Sequence, residues 1–168
     1  TELITNGEFA SDISSWTNAT TGAVGGGTPA YNSGGNGRLR LNDAAVSQAI
    51  STVKNKTYKV QVRVIDSSSG GSSLAVKVGN AAHATTDLSA TLTVTNYGEG
   101  KVLDTTFTAS QVATYITVIN SDSNNMDVDY VRVSRSDIAP KKLAHITYDT
   151  YLQTNKVADD VNNSSAFG

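Results

Sequence analysis

Apolar residues recur at every second position over most of the chain, and no long stretch repeats with the 3.6-residue period of a helix. The clearest case is TYKVQVRVID (57–66), where Tyr58, Val60, Val62 and Val64 point one way and Lys59, Gln61 and Arg63 the other. RLRLN (38–42) alternates in the same manner, and VSQAIS (46–51) reads as a short apolar strand. LAVKVG (74–79) puts Leu74, Val76 and Val78 in phase, and ATLTVTNYG (90–98) does so with Leu92 and Val94. VLDTTFTA (102–109) follows, then TYITVIN (114–120), which reads as a strand buried on both faces. MDVDYVRVSR (126–135) closes the series with Val131 and Val133 in phase. SSSGGSS (67–73) is a hairpin-type loop, and TTGAVGGGTPAYNSGGNG (20–37) is a long glycine-rich one. Nine or ten short strands between turn signals predict an all-β, antiparallel two-sheet β-sandwich of jelly-roll type. The alternating Val, Ile and Leu would fill the space of about 10 Å between the sheets.

The pattern stops after Arg135. Pro140 marks a domain edge, HITYDTYL (145–152) is compatible with one more strand, and from Gln153 onward the segment is polar. The expected organisation is a sandwich over residues 1–135 and an extended C-terminal arm over 136–168. Tyr148, Tyr151, Leu152, Val157 and Phe167 are apolar residues on an arm with no core of its own. They are candidates for contact with a neighbouring subunit, by packing or by adding a strand to its sheet.

Composition narrows the chemistry. The 168 residues carry a formal net charge of only −2, and no Lys/Arg cluster appears, which argues against nucleic acid as a partner. With no cysteine there is no disulfide, zinc-thiolate or thiol-nucleophile chemistry. No apolar run approaches the roughly 20 residues that a membrane helix needs. Thr1 suggests either a cleaved signal peptide or a protein made in a cytoplasm and released by lysis after loss of its Met. His83 and His145 have no nucleophile motif nearby, and no hydrolase or metalloprotease signature is present, so no catalytic residue is expected. NSDSNNMD (120–127) is rich in oxygen but lacks the EF-hand spacing and reads as a turn.

The opening LITNGEFASDISSWT resembles the N-terminal signature of the galactose-binding-like β-sandwiches, among the carbohydrate-binding modules of the family 4, 9 and 22 type. The residues that carry the resemblance are Leu3, Ile4, Asn6, Gly7, Glu8, Phe9, Ser15 and Trp16. Gln48, Asn55 and Tyr58 match the next block, and Asp129, Val131 and Val133 the closing one, so the resemblance spans roughly residues 2–135. It implies that Trp16 packs the start of the chain onto the sandwich, burying on the order of 150–250 Å². It also implies a structural calcium between the opening turn and the closing strand, with Asn6, Glu8 and Asp129 as candidate ligands. The sequence departs from the family here, since Ala10 stands where an acidic residue normally follows the Phe.

A sugar site needs an aromatic plane for the apolar side of the ring and polar groups for its hydroxyls. Tyr31 and Tyr97 are the expected loop aromatics, and Arg38, Arg40, Gln61 and Arg63 lie on the polar phases of strands that could form one face. Two functions follow. The lone domain and arm-like tail point to a non-catalytic structural protein of an extracellular assembly. The expected form is a phage virion component, a capsid decoration or tail protein with protein subunits as partners. The alternative is a carbohydrate-binding module of a secreted glycoside hydrolase or adhesin, with a glycan as partner. The expected location is the virion or the extracellular space.

Overall fold

The computed structural model describes residues 1–21, 24, 26–34, 37–66 and 71–136. The chain divides into two units, Thr1–Asp137 and Ile138–Gly168, and all of the strands below belong to the first. The arm residues Tyr148, Tyr151, Leu152, Val157 and Phe167 lie outside the described residues.

The strands run β1 (Thr17–Asn18), β2 (Ala30–Asn32), β3 (Arg38–Leu41), β4 (Ala44–Ser51), β5 (Thr57–Asp66), β6 (Ser72–Gly79), β7 (Leu88–Val94), β8 (Gly100–Thr108), β9 (Ala113–Asn120) and β10 (Met126–Arg135). They form two antiparallel five-stranded sheets, in the orders β1-β4-β9-β6-β7 and β2-β3-β10-β5-β8. The expected all-β sandwich is therefore the fold. β5 alternates from Tyr58 to Val64, with Tyr58, Val60, Val62 and Val64 buried, while β10 alternates on either side of a register shift between Val128 and Tyr130. Two short strands add to those read from the alternation, and one of them, β2, lies inside the stretch read as a glycine-rich loop. β1 borders β4, and β2 is paired with β3.

The core holds Leu39, Leu41, Val46, Val60, Val62, Val64, Leu74, Val76, Val78, Ile116, Val118, Val128, Val131 and Val133. Tyr58 closes one end, stacked on Phe107 with its hydroxyl accepting from the Val53 amide at 2.7 Å. β9 is buried on both faces as its pattern implied. Ile116 and Val118 face the main core, while Thr117 and Ile119 are covered from outside. That second cover is an apolar cluster of Ala19, Val24, Ala45 and Ile119. The loop after β6 adds to it. The His83 amide donates to the Thr117 hydroxyl at 3.0 Å, and the His83 ring nitrogen Nε2 lies 2.5 Å from the Ala19 carbonyl. His83 is thus a half-buried packing residue rather than a free surface one.

The N-terminal segment is stapled across the sandwich. Trp16 is buried, lies against Phe9 at 5.7 Å between ring centroids, and donates from Nε1 to the Asn6 carbonyl at 3.2 Å. Buried Gln48 clamps the segment from β4. Its Oε1 accepts from the Thr5 amide at 2.8 Å, and its Nε2 donates to the carbonyls of Thr5 at 2.9 Å and Ser15 at 3.0 Å. On the other side the Leu3 amide donates to the Val133 carbonyl and the Val131 amide to the Gly7 carbonyl, both at 2.8 Å. A Cβ on Gly7 would lie 2.1 Å from the Val131 carbonyl oxygen, so only glycine fits there.

Candidate functional site

The two sheets differ in what covers their outer faces. The outer face of β1-β4-β9-β6-β7 carries the apolar cluster around Ile119 and the His83 loop. The outer face of β2-β3-β10-β5-β8 presents polar side chains instead, and these are paired with one another. Arg40 on β3 forms a two-pronged bond to Asp127 on β10, with Nε to Oδ1 at 2.9 Å and Nη2 to Oδ2 at 3.1 Å. Asn32 on β2 also donates to Asp127 Oδ2, at 2.8 Å. Asp127 is 1% exposed, and these three donors take the place of water around its side-chain oxygens. The same bonds raise the Arg40 guanidinium above its ordinary pKa.

The β10 ladder slips at a bulge between Val128 and Tyr130, which puts Asp129 and Tyr130 together opposite Arg63. Asp129 takes a hydrogen bond from Arg63 Nη1 and lies 3.5 Å from Arg38 Nε. Farther along the face Gln61 donates to Asp104 Oδ2 at 2.8 Å, beside the Lys59–Asp104 ion pair at 3.0 Å. Arg132 stacks over the Tyr130 ring at 4.2 Å and pairs with Glu8 at 2.6 Å.

Between β2 and the turn before β8 this face sinks into a depression of about 400 Å³ lined by Asn32, Gly34, Arg38, Arg40, Ile65, Tyr97, Gly98 and Asp127. Tyr97 is 72% exposed, the largest exposure among the large apolar side chains of the described residues. It rides on the turn between β7 and β8, which Glu99 fastens. Glu99 Oε2 accepts from the amides of Thr95 at 3.0 Å and Asn96 at 3.2 Å, and Oε1 meets Lys101 Nζ at 3.2 Å. Those bonds, led by the Thr95 amide, hold the Glu99 carboxyl down at about 2 from an ordinary 4.5. Gly98 takes a left-handed φ of +72°, which lets the turn close behind Tyr97.

Of the residues singled out from sequence, Arg38, Arg40 and Tyr97 come together in the depression, and Arg63 joins them through Asp129. Gln61 lies on the same face, farther along β5. Tyr31 is different. It sits in β2, not in a loop, opposite inward-facing Leu39, and its hydroxyl donates to the Ala10 carbonyl at 3.2 Å. The strand phase turns it away from the polar face. Asn32, Ile65 and Asp127 were not singled out. Asp127 sits at the end of an oxygen-rich turn and, by simple alternation, in the phase of inward-facing Val131 and Val133; only the bulge between Val128 and Tyr130 brings it to the polar face.

The three calcium candidates do not form a ligand set in this geometry. Asn6 donates from Nδ2 to Asp12 Oδ1 at 2.8 Å, Glu8 faces Arg132, and Asp129 faces two arginines. Among the described residues no group of three or more His, Cys, Asp or Glu is placed to hold a metal. An arginine beside each carboxylate already supplies the positive charge that a cation would bring. Likewise, among the described residues no helix is long and apolar enough to cross a membrane.

No protein-family model matches the sequence, and no curated protein does. Solved structures do match in fold. One is a CBM4 carbohydrate-binding module, with a TM-score of 0.62 and 16% identity over 79% of this chain and 99% of that one. A second is the CBM22-1 xylan-binding domain of Paenibacillus barcinonensis, with a TM-score of 0.60 and 13% identity over 83% and 97%. A third is the CBM22-1–GH10 portion of the Clostridium thermocellum endo-1,4-beta-D-xylanase 10B, complexed with xylohexaose. Its TM-score is 0.59 with 14% identity over 83% of this chain, which spans 29% of that larger one. The fold is the β-sandwich of carbohydrate-binding modules. At these identities the likeness concerns the fold and not the ligand.

Proposed function

We propose that the sandwich is a non-catalytic carbohydrate-binding module that works outside the cell, holding a glycan on the outer face of β2-β3-β10-β5-β8. The observation that carries this reading is the depression with two unlike walls. Tyr97 and Ile65 offer apolar surface on one side, while Asn32, Arg38, Arg40 and Asp127 offer donors and acceptors on the other. A sugar ring has the same division, an apolar face of C–H groups and an equatorial rim of hydroxyls. The polar wall is held in place before any ligand arrives by the Arg40–Asp127–Asn32 bonds, which lowers the ordering cost of binding. The CBM-type fold supports the same reading.

The capsid-decoration reading rests on the arm. Its proposed contact residues Tyr148, Tyr151, Leu152, Val157 and Phe167 lie outside the described residues, and nothing on the sandwich favours it. The glycan reading is tested with a panel of soluble oligosaccharides and plant and bacterial polysaccharides, using the full chain and its Tyr97→Ala variant. Binding that the variant weakens by about two- to tenfold is expected, since stacking on one aromatic contributes on the order of 0.5–1.5 kcal/mol. A chain that binds no member of the panel would remove the reading.

A further inference from the structure

The charges in and beside the depression do not cancel, and the imbalance falls on one residue. Three arginines, Arg38, Arg40 and Arg63, face two carboxylates, Asp127 and Asp129. Asp127 belongs to Arg40 and Asn32 through three hydrogen bonds. Asp129 is hydrogen-bonded to Arg63. Arg38 has only the 3.5 Å approach to Asp129, and its buried Nε–H has no hydrogen-bond partner. It is the cation left over, and it lines the depression. The other pairs on this face, Lys59–Asp104 and Arg132–Glu8, cancel one another. Among the described residues of this face the positive charges exceed the negative by one, on a chain whose net charge is −2.

We infer that Arg38 is the receptor for a carboxylate carried on a sugar ring, so that the site takes a uronic-acid-bearing glycan rather than a purely neutral one. This inference rests on the glycan reading above and specifies it. A guanidinium presents a planar fork of donors that matches a carboxylate two-to-two. Of the three arginines, Arg40 and Arg63 donate hydrogen bonds to these carboxylates, while Arg38 only approaches Asp129 at 3.5 Å. A uronate stacked on Tyr97 through its ring face would direct its equatorial carboxylate toward the opposite, polar wall. There it would balance the odd charge, give Arg38 the anion it lacks, and leave the Arg40–Asp127 pair intact.

The test compares oligogalacturonate with its methyl ester, which has the same skeleton but no charge, and with neutral xylohexaose and a sulfated oligosaccharide. Calorimetry on the full chain reads all four. The expected result is binding of the free acid at least about tenfold tighter than of the ester, as for a hydrogen bond to a charged group. That preference should shrink as salt is raised toward 1 M, where the screening length falls to about 3 Å. Arg38→Met should abolish the preference, so that the free acid and the ester bind that variant equally. Arg38→Lys should restore part of it, since charge returns without the fork. Equal binding of acid and ester, or of xylohexaose, overturns the uronate inference and leaves the glycan reading standing. Sulfated sugar binding as tightly as the free acid overturns the assignment to a carboxylate. Failure to bind all four and the wider panel takes both readings down together. Circular dichroism on the variants separates lost binding from lost fold.

Discussion

The start of the chain hangs on one side chain, and removing it should have a calculable cost. Gln48 is 8% exposed and makes three hydrogen bonds to the N-terminal segment, two with Thr5 and one with Ser15. Each is worth about 0.5–1.5 kcal/mol net, and the main-chain groups that Gln48→Ala leaves behind are only partly able to reach water. The sum is a loss of about 2–4 kcal/mol, equivalent to a fall in Tm of about 8–15 °C for a domain of this size. Chemical unfolding in urea gives the free energy directly. The fluorescence of Trp16, the only Trp, reports whether the segment itself has loosened. A red shift of the native emission is expected, because Trp16 is 7% exposed in the closed arrangement and would gain water. Gln111→Ala, at an exposed position, serves as the control and should change stability by less than about 0.5 kcal/mol. If Gln48→Ala matches that control and the emission does not move, the segment is held by Phe9–Trp16 packing alone and the clamp reading is wrong.

Gly7→Ala should be at least as damaging, since the new Cβ would sit 2.1 Å from the Val131 carbonyl oxygen; a melting temperature within about 2 °C of the parent would contradict the packing described. Asp127→Ala removes the anchor of both Arg40 and Asn32 and should cost about 1–3 kcal/mol together with the loss of glycan affinity; because Arg40 is itself about a third exposed, solvent recovers part of that cost. Tyr97→Ala should lower affinity with Tm unchanged, whereas Tyr31→Phe should leave affinity unchanged, because one side chain is exposed at the depression and the other is bonded to Ala10. The turn that carries Tyr97 should resist acid. The Glu99 carboxyl is depressed from 4.5 to about 2, so its bonds to Thr95 and Asn96 persist above the lower value and are lost only as pH falls through it. NMR titration of the two amides checks this, and a midpoint near 4.5 would count against the bonds.

The architecture was readable because β-sandwich strands write their burial into the sequence with a period of two. Val60, Val62 and Val64 on β5 and Val131 and Val133 on β10 needed no more than that rule, and a one-residue slip would have sent them all to solvent. The place of Trp16 was legible through the resemblance of the opening segment to the N-terminal signature of the carbohydrate-binding modules, which implies that this Trp packs the chain start onto the sandwich. Alternation also put Arg38, Arg40 and Arg63 on one polar phase, which is why they were recognised as a set.

What the sequence could not decide was which groups meet. Asp127 and Arg40 are 87 residues apart and become partners only because β10 lies beside β3. The bulge at Asp129 is a ladder property, invisible to alternation, and it delivers that carboxylate to Arg63 and Arg38 rather than to the opening turn. Tyr31 looked like a loop residue until pairing with β3 fixed its phase inward, and the apolar cluster around Ile119 covers the outer face of one sheet while that of the other stays polar. Local periodicity fixed the strands, because each residue's burial depends on its own phase. The site depended on register and strand order, because those decide which charges lie side by side.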